Sequence, residues 1–197
     1  DPYAVSGNTG GARSQLVNLD DADLKPAGWD SLAKPDLAAP EDAVIYELHV
    51  RDFSIADPLV PVADRGKFTA FDVPGTNGRQ HLQELADAGL THVHVLPAFD
   101  IATVVEDPAQ RLEIDDTVQE LCDRVTEAAS LCFNPANGSK KIRDLMAEYA
   151  AQDPASIEPQ RIVNWIRALD GFNWGYDPYH FGSPEGSYST NPNGVQR

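Results

Sequence analysis

The chain has 197 residues, 42% of them hydrophobic, and its 31 acidic against 15 basic residues give a formal net charge of −16. Such a length holds one sizeable core and a second small segment, and such an apolar content excludes a disordered polymer. The acidic field repels polyanions, which excludes nucleic acid as a partner, and otherwise reads as solubility.

The opening Asp1-Pro2-Tyr3, without an initiator Met or a signal peptide, reads as a cut through a longer chain. Residues 1–40 are loop-rich, with turn signals at Ser6, Gly7, Asn8, Gly10 and Gly11. One short alternating run, 14–19, predicts a strand. Lys25, Pro26, Gly28, Pro35 and Pro40 then predict an extended connection, the tail of one module and a linker into the next.

Residues 43–50, Ala-Val-Ile-Tyr-Glu-Leu-His-Val, are nearly continuous in apolar and β-prone types, which suits a parallel strand covered on both faces. A loop over 54–77 follows. Leu82, Leu85 and Ala86 predict a helix over 79–88, with Gly89 at a left-handed stop and Leu90 folding back on the last turn. Residues 91–96 predict a second strand. Strand, helix and strand make one βαβ unit, which demands a parallel sheet.

After a loop over 97–114, three amphipathic helices are predicted in a row. The first carries Val118, Leu121, Cys122 and Val125. The second carries Ile142, Leu145, Met146 and Tyr149 behind Ser139 as N-cap, and the third Ile162, Trp165, Ile166 and Leu169 behind Ser156. No strand interrupts them, so they form a helical insertion. Cys122 and Cys132 contain no Cys-x-x-Cys, which excludes a zinc knuckle. A disulfide and two free thiols packed as small hydrophobes both fit, and the compartment is left open. Residues 171–197, dense in aromatics, Gly, Pro and Asn, predict a long structured loop of the kind that carries function. The chain closes at Arg197 without a finished element, again as if cut. No apolar run approaches a membrane span.

Three stretches carry a family resemblance. Residues 45–54 read Ile-Tyr-Glu-Leu-His-Val-Arg-Asp-Phe-Ser, and 89–100 read Gly-Leu-Thr-His-Val-His-Val-Leu-Pro-Ala-Phe-Asp. Residues 171–192 contain Asn-Trp-Gly-Tyr-Asp-Pro followed by Pro-Glu-Gly-Ser-Tyr. In this order they resemble the start of the catalytic domain in pullulanases and limit dextrinases, the starch-debranching enzymes of glycoside hydrolase family 13. The Asp1-Pro2-Tyr3-Ala4 opening and Leu24-Lys25-Pro26-Ala27 are similar to the exit from the preceding carbohydrate-binding module. The match is weakest over 103–168.

The resemblance implies an α/β fold, an incomplete (β/α)8 TIM barrel with its first two parallel strands. Residues 1–40 would end an N-terminal β module and its linker. Residues 41–197 would start the barrel, with a helical insertion at about 103–170. A whole barrel needs about 250 residues, so sheet edges and core faces would stay open. The implied reaction is retaining hydrolysis of α-1,6-glucosidic branches in pullulan, amylopectin and limit dextrins. Retention uses two carboxyl groups about 5–5.5 Å apart. In the family both come later than the Asn-Trp-Gly-Tyr-Asp-Pro segment, so no catalytic residue is assigned and the chain alone is expected to be inactive.

In the family, the Tyr of this motif stacks on the sugar beside the cleaved bond, which points to Tyr176 as a substrate-binding residue. A sugar's C–H face covers an aromatic plane well. Asp177 either accepts from sugar hydroxyls or caps the loop's own amides. Asn173, Trp174 and Glu185 are expected to support the loop, as are Tyr179, His180 and Tyr188. Phe99 and Asp100 follow the second strand, at what would be the active-site face, with Asp100 expected to anchor a loop. A buried ion pair is expected at Arg51, and barrel packing rather than a metal for His92 and His94. No cofactor is expected: calcium occurs in relatives, but no acidic calcium-loop spacing is present. The expected partner is an α-glucan polysaccharide. The rival readings are a stand-alone non-catalytic glucan-binding module, and a sister enzyme of the isoamylase or branching type.

Overall fold

Two apolar runs set the first sheet of the computed structural model, which describes residues 4–197; Asp1, Pro2 and Tyr3 of the opening motif lie outside the described residues. β1 (Ile45–Leu48) and β2 (His92–Val95) pair in parallel, with Ile45 opposite His92 and Leu48 opposite Val95. The sheet is two-stranded, as is a second one, and neither closes. The class is therefore α/β.

The first strand is shorter than the apolar run. His49 leaves the sheet, and its Nδ1 accepts the Asp52 amide at 3.3 Å to cap the short helix α1 (Val50–Ser54). Val50 looked like strand because it is β-branched, but burial to 1% exposure holds it in the helix. The expected cover on both strand faces is also absent among the described residues. Val44 and Ile45 are 52% and 62% exposed, and the whole of β2 is exposed. Only Leu48 of β1 is buried.

The crossover is α2 (Asn77–Asp87), two residues earlier at its start than the apolar spacing predicts. Its N-terminus is held from a distance. Asp57, on the preceding loop, accepts the Asn77 amide and side-chain amide, each at 2.8 Å, and the Leu59 amide at 3.0 Å. Burial alone would raise this carboxyl. The amides of Leu59, Asn77 and Gly78 outweigh it and hold Asp57 below its ordinary value. At the other end Leu90 donates to the Leu85 carbonyl at 2.9 Å and Gly89 to Ala86 at 3.0 Å. This is the Schellman arrangement, and it needs the positive φ of 107° that Gly89 supplies.

The second sheet is not in the predicted loops' description. β3 (Phe99–Ile101) pairs antiparallel with β4 (Pro178–Pro184), with Asp100 opposite His180 and Ile101 opposite Pro178. β4 begins and ends on proline and contains Gly182, so its local signals read as loop. The register shifts on both sides of Asp100 show how irregular the pairing is. The strand predicted at 14–19 is reduced to one bridge, Ser14 with Gly7, and Leu16 is 97% exposed. An alternating run without a partner strand does not stay a strand. The ends of this unit are laced together instead: Gly194 donates to the Gly7 carbonyl at 2.7 Å, and Thr9 to the Asn193 side chain.

Residues 103–173 form a separate compact unit. It holds α3 (Val118–Arg124), a 3-10 helix (Thr126–Phe133), α4 (Ile142–Gln152) and α5 (Glu158–Ile166). The apolar stripes meet in one core of Leu112, Val118, Leu121, Ala128, Ile142 and Ile162, all fully buried, with Leu131, Leu145 and Ile166 beside them. Thr117 and Glu120 form a capping box on α3. Two expected caps differ. Lys141, not Ser139, occupies the N-cap position of α4, and Ile157 that of α5. The Ser156 hydroxyl still accepts the Glu158 amide at 3.3 Å. Val125 and Leu169 lie just past their helices, yet both pack on the core. The unit closes on itself where Leu112 donates to the Leu169 carbonyl at 3.0 Å and Gly171 to the Glu113 carboxylate at 3.0 Å.

The two cysteines are bonded, joining α3 to the 3-10 helix across a sequence separation of 10. A cross-link over so short a loop stabilises by about 2–3 kcal/mol through the unfolded chain. Cys132→Ser, or reduction of the wild type, is expected to lower the unfolding free energy of residues 103–173 by that amount. Urea melts with and without reductant check it.

Candidate functional site

The expected sugar-binding turn is positioned from both sides by residues 97–102. Gly175 has a φ of 79°, and a Cβ there would lie 2.6 Å from the Pro97 carbonyl oxygen. No larger residue lets the backbone approach so closely. On the other side the Ala102 amide donates to the Asp177 carbonyl at 2.9 Å. Tyr176 lies between these two contacts and is 68% exposed; Trp174, next to the turn, is 63% exposed.

Asp177 is exposed, and its carboxylate enters no hydrogen bond or ion pair among the described residues. It does not cap its own loop. Asn173 belongs to the helical unit, where it is buried and its side chain donates to the Gly171 carbonyl at 3.2 Å.

Glu185 is fully buried. Its carboxylate accepts the Ile101 and Ser187 amides at 2.7 Å each, and its own amide donates to the Ala98 carbonyl at 2.9 Å. Burial pushes its pKa up; the Ser187 and Ile101 bonds oppose the shift, and the charge of Asp100 adds to it. Beyond it, the Lys67 ammonium donates to the Ser187 carbonyl at 2.5 Å. The Tyr188 hydroxyl meets His49 Nε2 at 3.1 Å, and its ring packs edge-on against His49 and Phe68. The Pro-Glu-Gly-Ser-Tyr turn is thus fastened both to β3 and to the end of β1.

Asp100 is 1% exposed. Its two oxygens face different partners: Oδ2 is 2.6 Å from His180 Nδ1, and Oδ1 is 3.0 Å from Arg197 Nη2. The Arg197 side chain is 1% exposed, and burial pulls its pKa below the usual value while Asp100 opposes that. No sequence signal marks this pairing, because Arg197 lies in a segment of turn residues far from Asp100. On the outer face of β4, Tyr179 and Phe181 are exposed, with Phe99 edge-on to Phe181 at 5.0 Å.

Two other expectations change. Arg51 pairs with its neighbour Asp52 at 3.0 Å, but the Asp52 side chain is 49% exposed, so the pair is not buried. His92 and His94 are exposed rather than packed. His94 faces Glu47 across the strand pair at 3.2 Å and His92 meets the Thr91 hydroxyl at 2.8 Å. The whole of β2 is exposed, which leaves both rings outside.

Residues 101–172, which take in nearly all of the helical unit, match the Pullulanase Ins domain. The chain is a homologue of pullulanases along its whole length. It is 37% identical to the pullulanase of Klebsiella aerogenes and 39% identical to pullulanase 1, chloroplastic, of Arabidopsis thaliana, with all of this chain covered in both. Klebsiella pneumoniae pullulanase complexed with maltotriose superposes with a TM-score of 0.89 at 36% identity, over 100% of this chain and 19% of that one. The chain spans 18% of the length of both curated relatives, under a fifth.

The buried carboxyl gives a prediction. A group whose folded pKa is raised binds more protons folded than unfolded. The stability it allows is full below the ordinary 4.5 and falls as pH rises from there through the raised value. Glu185→Gln is expected to remove that fall. It also leaves one of the two amides unmatched, costing about 1–3 kcal/mol. Thermal melts across acid to neutral pH separate the two effects.

Proposed function

We propose that this chain is the first part of the catalytic domain of a debranching glycoside hydrolase, one that hydrolyses α-1,6-glucosidic branch linkages in pullulan, amylopectin and limit dextrins with retention. The homology to pullulanases over the full chain supports the reaction class. The parallel β1–β2 pair with its crossover helix supports the start of a (β/α)8 barrel, and the open faces of that pair suit strands that receive further neighbours. In this reading residues 1–40 end an N-terminal β module and its linker, 41–197 begin the barrel, and about 103–170 are inserted.

Tyr176 forms the floor under a glucosyl unit, Asp177 accepts hydrogen bonds from its hydroxyls, and Asn173, Trp174 and Glu185 support the loop. One observation carries this reading: an exposed phenol ring, framed by two backbone contacts, beside a carboxylate with no hydrogen bond or ion pair among the described residues. The bound maltotriose of the Klebsiella pneumoniae relative supports an α-glucan as ligand.

Two outcomes are expected. Tyr176→Ala weakens maltotriose binding about tenfold, or ~1.4 kcal/mol, while Tyr176→Phe stays within about twofold, because the ring face rather than the hydroxyl makes the contact. Calorimetry or intrinsic fluorescence reads this; equal affinity of wild type and Tyr176→Ala counts against the platform. No acid of this chain matches the family's nucleophile or acid/base. Purified chain is therefore expected to release no reducing sugar from pullulan, and turnover would relocate the chemistry.

A further inference from the structure

We propose that Asp100 is the positioning residue of the Tyr176 turn, with Arg197 and His180 holding its carboxylate in place. The proposal rests on the reading of Tyr176 as the sugar platform.

The turn stands at the head of β4, which begins at Pro178. Its backbone touches residues 97–102 at Pro97 and at Ala102, one contact before Tyr176 and one after it. The geometry of the ring is therefore that of segment 97–102. β3, at the centre of that segment, is a short strand whose register shifts on both sides of Asp100. Few regular ladder bonds hold such a strand in place. Glu185 holds it at the Ala98 carbonyl and the Ile101 amide, and between those two bonds the Asp100 side chain fixes it, its two oxygens taken by His180 of β4 and by Arg197. All three side chains are largely withdrawn from water, at 2%, 15% and 1% exposure. A buried carboxylate between two such partners tolerates little displacement, since moving it leaves a charge uncompensated. None of the three touches the exposed face of Tyr176, so none is assigned contact with sugar.

The test uses the whole chain with Asp100→Asn, Arg197→Gln, Arg197→Lys and the double variant Asp100→Asn/Arg197→Gln. Two readouts are followed: maltotriose affinity, and hydrogen exchange of the Ala102 and Leu96 amides. Ala102 reports the turn contact, and Leu96, bonded to the Leu48 carbonyl at 2.8 Å, reports the separate β1–β2 sheet. Asp100→Asn is expected to weaken maltotriose about tenfold and to speed Ala102 exchange about tenfold, with Leu96 unchanged. The double variant, neutral at both positions, is expected to return to within about threefold of wild type, and Arg197→Lys to lie between.

Unchanged affinity and Ala102 exchange in folded Asp100→Asn overturns the proposal. Equal acceleration at Leu96 also does, because the effect is then global. If Asp100→Asn does not fold, Arg197→Lys decides by the same two amides, with about threefold faster exchange at Ala102 alone expected. If the wild-type chain binds no maltotriose, the sugar platform is what fails, and the exchange of Ala102 still decides whether Asp100 positions the turn.

Discussion

The pairing of Phe99–Ile101 with Pro178–Pro184 governs where the aromatic loop stands. It brings together two buried carboxyls used in opposite ways. Asp100 is matched by the side chains of His180 and Arg197, and Glu185 by backbone amides. A buried charge is tolerated only with partners, and a buried amide only with an acceptor. Each carboxyl therefore specifies one arrangement of strand and turn where hydrophobic packing alone would leave several. The exposed rings of Trp174 and Tyr176 are placed by groups that water does not reach.

The same economy holds at the end of β1. His49 serves as a helix cap through one ring nitrogen and meets the Tyr188 hydroxyl with the other. Lys67 reaches the neighbouring Ser187 carbonyl from its own loop. Segments that are irregular by local measure are thus held by side chains, which satisfy backbone groups that no ladder or helix provides for.

Much of the scaffold was legible because it depends on short-range periodicity. The runs at 43–50 and 91–96, with Gly89 between them, specified a parallel pair and its crossover. The stripes through Leu121, Leu145 and Ile162 located the core of the helical unit. What escaped has long-range causes. β3 and β4 stabilise each other across some eighty residues of sequence, as the Asp100–His180 separation of 80 shows, and proline at both ends of β4 hides it from local rules. Val50 is helical because it is buried, not because of its type. Arg197 carries no motif, and only its coordinates reveal Asp100 as its partner. The cysteine pair had two readings until the fold brought the sulfurs together. The chemistry attached to Tyr176 came from resemblance, since an aromatic residue in a loop has no intrinsic signature for sugar.

The bond from Leu112 to Leu169 has a consequence for how such a chain is assembled. It sets the two stems of the helical unit side by side, so the polypeptide leaves and returns through neighbouring points. For the flanking residues, the excursion is equivalent to a tight connection, whatever its length. Growth, shrinkage or replacement of the material between the stems then carries almost no topological penalty, making this the natural place for sequence drift.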